Sequence, residues 1–76
     1  MDAEQLCAWI NARLPDPVVE NVERQDGASD EPPTYALYTR RPGIIIGKRA
    51  ARLTALKEAM EAELGPLRLN IVELRR

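Results

Sequence analysis

The chain has no histidine and a single cysteine among its 76 residues. Lacking histidine, it has neither the commonest general base nor any imidazole ligand for a metal. Cys7 alone cannot close an intramolecular disulfide or build a thiolate cluster, and it reads as a small buried hydrophobe rather than a reactive thiol. No nucleophile has a base at a useful spacing, and the acids scatter over exposed faces and one loop. These absences predict a non-catalytic protein with no metal and no small-molecule cofactor. No apolar run approaches the ~20 residues needed to span a bilayer, so no membrane association is expected. The start, Met1-Asp2-Ala3-Glu4, is acidic and leads into no apolar signal region. With the lone cysteine, this points to a reducing, cytoplasmic setting, and Met1 reads as a natural start. There is no internal repeat and no low-complexity tract. A net excess of positive charge is also missing: the formal charge is −1, unlike a generally basic nucleic-acid coat protein.

What is present is a balanced globular composition, 45% apolar and 30% charged. A chain this short buries only ~60% of its unfolded surface, so the core is expected to be small. The low net charge conceals an asymmetry. Residues 1–33 carry eight acids against Arg13 and Arg24, whereas residues 40–57 carry Arg40, Arg41, Lys48, Arg49, Arg52 and Lys57 and no acid at all. A domain of this kind can present one basic face in spite of its average.

Asp2 is a candidate N-cap for a helix over about residues 3–14, on which Leu6, Ile10 and Leu14 recur every fourth position beside Trp9. Pro15 and Pro17 end it. Val18 to Arg24 reads as a strand, and the loop Gln25 to Pro33 follows with Gly27, Asp26, Asp30 and Glu31. Thr34 to Thr39 is a second strand, Tyr35 and Leu37 on one face and Ala36 and Tyr38 on the other, forming an antiparallel hairpin with the first. Pro42 suits the first turn of a short helix that Gly47 stops. A longer helix spans about Ala50 to Leu64, with Leu53, Leu56, Met60 and Leu64 on one face, and Gly65-Pro66 terminates it. Leu67 to Leu74 is the last strand. Its alternation slips at Val72, which reads as a bulge or the strand's end. Trp9 and Tyr35 are expected in the core, as are Ile44 and Ile45. Ile46 fits core or ligand contact equally, and Tyr38 is a candidate stacking platform or simply exposed. Arg75 and Arg76 extend the basic surface or form a frayed tail.

The segment between the two later helices carries a family resemblance. Ile46-Gly47-Lys48-Arg49-Ala50-Ala51-Arg52-Leu53 resembles the I-G-x-x-G-x-x-[ILV] core of the KH domain. Arg41-Pro42-Gly43-Ile44-Ile45-Ile46-Gly47-Lys48 is similar to the R-P-G-I-[VI]-I-G-K run of type II KH segments, found in a bacterial small-subunit ribosomal protein and in small free-standing bacterial KH proteins. The resemblance is strong over the motif, extends over Arg40 to Arg76, and rests on element order alone in the N-terminal half. It implies an α+β fold, type II KH-like α-β-β-α-α-β, with a three-stranded mixed sheet covered on one face by helices in a single domain over residues 1–76. It implies binding of single-stranded RNA, or single-stranded DNA, by a loop that clamps about four nucleotides. That loop is Gly47-Lys48-Arg49-Ala50, with Arg41 and Arg52 adding charge and Ile46 and Leu53 flooring the adjacent groove. A translation-related role, a ribosome or ribonucleoprotein partner, or a homo-dimer is implied in the same way.

Physical reasons support that assignment. Gly47 has no Cβ, so the chain can turn sharply and a phosphate can approach the main chain. The N–H groups opening the next helix are unpaired and partially positive, and Lys48 and Arg49 add full charges. The departure is Ala50, which stands where the family has its second loop glycine. In a helical conformation Ala50 fits without strain, but its methyl holds a phosphate off the amides, so weakened rather than abolished binding is expected.

Three other readings bear on the same residues. A KH scaffold given over to protein–protein contact fits Ala50 and the acidic N-terminal half, with the first helix or last strand as its contact surface. A duplex-DNA helix-turn-helix fits the turn, but its first helix is too short and its second becomes acidic after Lys57. A nucleotide-hydrolysing P-loop fails because three residues, not four, separate Gly43 from Gly47 and Arg49 stands where Ser or Thr would hold magnesium.

Overall fold

In the computed structural model, which describes residues 2–75, Asp2 opens the first helix, α1 (Ala3–Asn11). The Asp2 carboxylate accepts the Gln5 N–H at 2.8 Å, and the Gln5 side-chain oxygen accepts the Asp2 N–H at 3.1 Å. Two main-chain donors that a helix start would leave open are thereby satisfied. The apolar spacing predicts a helix to residue 14, but α1 stops at Asn11. There the carboxamide turns onto Val19, donating to its carbonyl at 3.0 Å and accepting its N–H at 3.0 Å. Beyond Asn11 the chain tightens through Arg13 N–H to Ile10 and Leu14 N–H to Asn11 bonds, and Leu14 still packs on the core.

Strand β1 (Val19–Gln25) pairs antiparallel with β2 (Thr34–Thr39), and β3 (Arg68–Glu73) pairs parallel with β2 on its other side. The fold is α+β with a three-stranded mixed sheet, as expected. A parallel pair needs a long crossover. Here α2 (Pro42–Ile46) and α3 (Ala51–Leu64) supply it and so place their connecting turn at one end of the sheet's helical layer. Leu37 lies opposite Val22 and Ile71, and Tyr35 lies opposite Leu69, which puts these side chains on the face the helices cover. Glu23, Ala36 and Asn70 align on the other face.

The register resolves the slip in the last strand. β3 runs unbroken against β2 as far as Glu73, and the sheet's irregularity lies in β1 between Val19 and Asn21. Val72 simply faces Tyr38 on the side away from the helices, and past the strand's end the Leu74 N–H reaches the Thr39 carbonyl at 2.7 Å.

Leu6, Ile10, Val22, Leu37, Ile45, Leu56 and Met60 form most of an almost wholly aliphatic core, with Tyr35 at its edge. Each fully buried side chain of this size contributes roughly 1.5–3 kcal/mol. Of the three consecutive isoleucines only Ile45 is fully buried; Ile44 and Ile46 are half-buried. The expectation for Ile44 is therefore corrected, because a five-residue helix turns only one of three successive side chains inward. Trp9 packs against the core on one side, and the Arg13 guanidinium lies over its ring at 3.6 Å. Gly65, at φ +84°, closes α3 with its N–H on the Glu61 carbonyl at 2.9 Å. Among the described residues no helix is long and apolar enough to cross a membrane.

Candidate nucleic-acid interface

The approach to the basic turn is set by Thr39, a buried polar side chain at the end of β2. Its hydroxyl donates to the Val18 carbonyl at 2.8 Å and accepts the Arg41 N–H at 3.0 Å. This fixes the chain where it leaves the sheet and enters α2, whose first residue is Pro42. The helix closes after five residues with the Gly47 N–H on the Gly43 carbonyl at 3.0 Å. Gly47 itself has φ +71° and ψ −173°, a region that essentially only glycine occupies. Space demands glycine as well. A Cβ at this position would lie 2.7 Å from the Arg52 Cβ and 3.2 Å from the Arg52 nitrogen.

Lys48, Arg49 and Ala50 form one tight turn before α3 begins. Arg49 (φ 55°, ψ 33°) and Ala50 (φ 60°, ψ 17°) are both left-handed. Ala50 is thus not the strain-free first residue of a helix. It holds a Cβ in a conformation that costs an L-residue roughly 1–2 kcal/mol. The Ala51 N–H bonds to the Lys48 carbonyl, and α3 then starts with no side-chain cap and no acid in its first turn.

Neutralisation separates the cations into two groups. Arg24 pairs with Asp26 at 2.9 Å, Arg40 with Glu20 at 3.3 Å and Arg75 with Glu73 at 3.5 Å. Arg40 thereby leaves the uncompensated set. Among the described residues, Arg41, Lys48, Arg49, Arg52 and Lys57 have no acid within 4 Å. The Arg52 guanidinium is engaged instead by a carbonyl, donating to Ile44 at 2.6 Å. Arg76 lies outside the described residues.

The predicted residues are only partly brought together. Gly47, Lys48, Arg49 and Ala50 form the turn, with Lys48 and Arg49 exposed, Arg52 and Leu53 in the first turn of α3, and Ile46 at the end of α2. Leu53 leans on the core, whereas Ile46 is half-buried outside it. Arg41 stands at the opposite end of α2, roughly 9 Å of helix away at 1.5 Å per residue. It borders an open depression of about 230 Å³ with Pro17, Val18, Glu20 and Arg40. The charge therefore falls at two stations rather than in one cluster. Thr39 and Asn11, which position the elements, carry no sequence signal, since one is a strand threonine and the other a polar residue in a helical stripe.

Two titratable groups elsewhere are perturbed. Partial burial pushes the Cys7 thiol up, opposed by a hydrogen bond from Asn11, while the thiol donates to the Val19 carbonyl at 3.2 Å. Tyr38 is also pushed up, by lost solvation and then by the nearby Glu23 charge, to which its hydroxyl donates at 3.3 Å. Tyr38 lies on the sheet face away from the helices, so its partner is Glu23 and not the basic turn.

Comparison with known proteins agrees with this fold. Residues 29–76, more than half of the chain, match the KH domain family. The chain belongs to that family, and ribosomal proteins are among the relatives it matches. It is 35% identical over 69 residues to the small ribosomal subunit protein uS3 of Bacillus anthracis, covering 90% of this chain and 31% of the relative. It is 45% identical over 40 residues to the small ribosomal subunit protein uS3 of Chloroflexus aurantiacus, covering 51% of this chain and 16% of the relative. The chain thus spans under a third of the length of these relatives.

Proposed function

We propose that this chain is a non-catalytic, cytoplasmic module that binds single-stranded RNA through the turn Gly47-Lys48-Arg49-Ala50. The observation that carries the reading is the unneutralised start of α3. Lys48 and Arg49 have no acid partner among the described residues, and the first turn of α3 has neither cap nor acid. An extended phosphate backbone supplies the missing negative charge, and KH loops clamp such a backbone in this way. Arg52 and Leu53 follow within one turn, Ile46 floors the adjacent groove, and Arg41 meets the strand farther along. The ribosomal relatives favour a ribonucleoprotein setting. A single module of this size binds weakly, so a second module, a homo-dimer or an assembled particle provides the avidity.

Fluorescence anisotropy of a labelled single-stranded RNA pool tests the reading, run at two salt concentrations beside the Lys48→Asp/Arg49→Asp double variant. Two to four neutralised phosphates predict a slope of roughly −0.7 per phosphate in log K against log salt. Binding should vanish in the variant while its circular dichroism stays unchanged. One observation favours a second reading, the protein-contact scaffold: the left-handed Ala50 methyl stands at the uncapped start of α3, where the neighbouring Ala51 N–H is already taken by the Lys48 carbonyl. Wild-type protein that binds no RNA at low salt would select that reading.

A further inference from the structure

Among the cations around the turn, Arg52 differs from Lys48 and Arg49 because its guanidinium already has a partner within the protein. That partner, the Ile44 carbonyl, belongs to α2, which ends abruptly at Gly47 and leaves its last carbonyls without intrahelical donors. The main chain and stem of Arg52 touch the same turn from the other side, because Gly47 sits where any Cβ would strike the Arg52 Cβ and nitrogen. Arg52 therefore contacts both ends of the Ile44–Gly47 segment. Between Gly47 and Arg52 lie the glycine-only torsions of Gly47 and two consecutive left-handed residues, Arg49 and Ala50. Such torsions persist only where the surroundings over-determine them. Among the described residues, no other side chain between Arg40 and Lys57 hydrogen-bonds to the main chain of this turn or of α2.

We infer that Arg52 is a positioning residue, which braces the turn through the Ile44 carbonyl and so aims Lys48, Arg49 and the amides of α3, rather than a phosphate ligand itself. Its consequence for binding rests on the RNA reading above; the brace is a property of the free protein. Arg52 also lines a depression with Arg13, Leu14 and Ala55, between the segment that follows α1 and the face of α3, while its guanidinium reaches the Ile44 carbonyl.

Arg52→Met tests this, since it keeps an unbranched stem and removes the donor. In the free protein, backbone hydrogen exchange at Gly47 and Ala51 should accelerate by roughly tenfold, the shift expected when a charged hydrogen bond no longer opposes a local opening. Leu37, in the middle of the sheet, should remain protected. With the RNA pool, the variant should bind more weakly and keep the wild-type salt slope. Unchanged exchange at Gly47 and Ala51 would overturn the brace. So would a slope smaller by about 0.7, the signature of one lost phosphate contact. Absence of RNA binding by the wild type would sink the functional reading separately, and the exchange result alone would then decide the role of Arg52.

Discussion

Helix α1 starts under an aspartate and α3 starts under an alanine. At α1, Asp2 and Gln5 exchange hydrogen bonds across the first turn, and Glu4 sets a negative charge against the positive end of the helix. At its other end Asn11 locks onto both polar groups of the Val19 main chain. The start of α3 has no side-chain cap, no acid, and two cations in the turn before it. Cations at a helix start oppose the helix dipole by on the order of 0.3–1 kcal/mol each. A chain selected for stability alone would close the second helix as it closes the first. The difference is the one the RNA reading proposed above requires, since folding rules are broken where a site trades local stability for a ligand.

The comparison breaks most severely at Gly47. Gly47→Ala forces a Cβ against Arg52 and into torsions reserved for glycine, so stability should fall by about 3 kcal/mol in urea unfolding. RNA binding should be lost with it. A change below about 1 kcal/mol would mean that the turn relaxes easily and is not held as described. The next largest effect lies at the closed end of α1. Asn11→Ala leaves the Val19 N–H without its side-chain partner and the Val19 carbonyl with the weak Cys7 thiol alone, and about 2 kcal/mol of stability should disappear by chemical denaturation. RNA affinity measured below the unfolding transition should not change, since Asn11 acts on α1 and β1 alone. Asp2→Ala is smaller still. It removes the cap of α1 and should lower stability by about 1 kcal/mol, again with RNA affinity intact. Equal sensitivity of RNA binding to Asp2 and to Lys48 would erase the functional distinction between the two helix starts.

Most of the fold was legible because it rests on local patterns. Asp2 with Gln5, the alternation around Tyr35 and Leu37, Pro42, and Gly65-Pro66 each act within a few residues of themselves. What escaped depends on contacts distant in sequence. Asn11 shortens α1 by reaching Val19, and Val72 looks like a slip until the parallel register with β2 is known. The turn was legible as composition but not as conformation. Nothing in Lys48-Arg49-Ala50 announces two left-handed residues in succession, since none of the three is a glycine. Arg52 shows the same limit. Its charge is visible in the chain, but its bond to the Ile44 carbonyl depends on how α2 ends. Arg40 was indistinguishable from Arg41 until the sheet brought Glu20 beside it.

Ala50 gives the smallest expected effect and the most direct comparison of the two starts. Ala50→Gly relieves a left-handed Cβ, worth roughly 1–2 kcal/mol, but restores unfolded-chain freedom that opposes folding by roughly 0.4–1 kcal/mol. The two nearly cancel, and a net gain of about 0.5 kcal/mol should appear as a slightly higher denaturation midpoint. Binding should respond more than stability. Removing the methyl lets a phosphate approach the uncapped start of α3 more closely, past the Ala51 N–H that is already bonded to the Lys48 carbonyl, and a charged hydrogen bond shortened in this way should tighten RNA binding several-fold at low salt. If affinity rises while stability hardly moves, Ala50 acts on the ligand, and the open start of α3 is a working anion site narrowed by one methyl group. If stability rises and affinity does not, the phosphate never meets that helix start, and Lys48 and Arg49 hold the strand by their side chains alone.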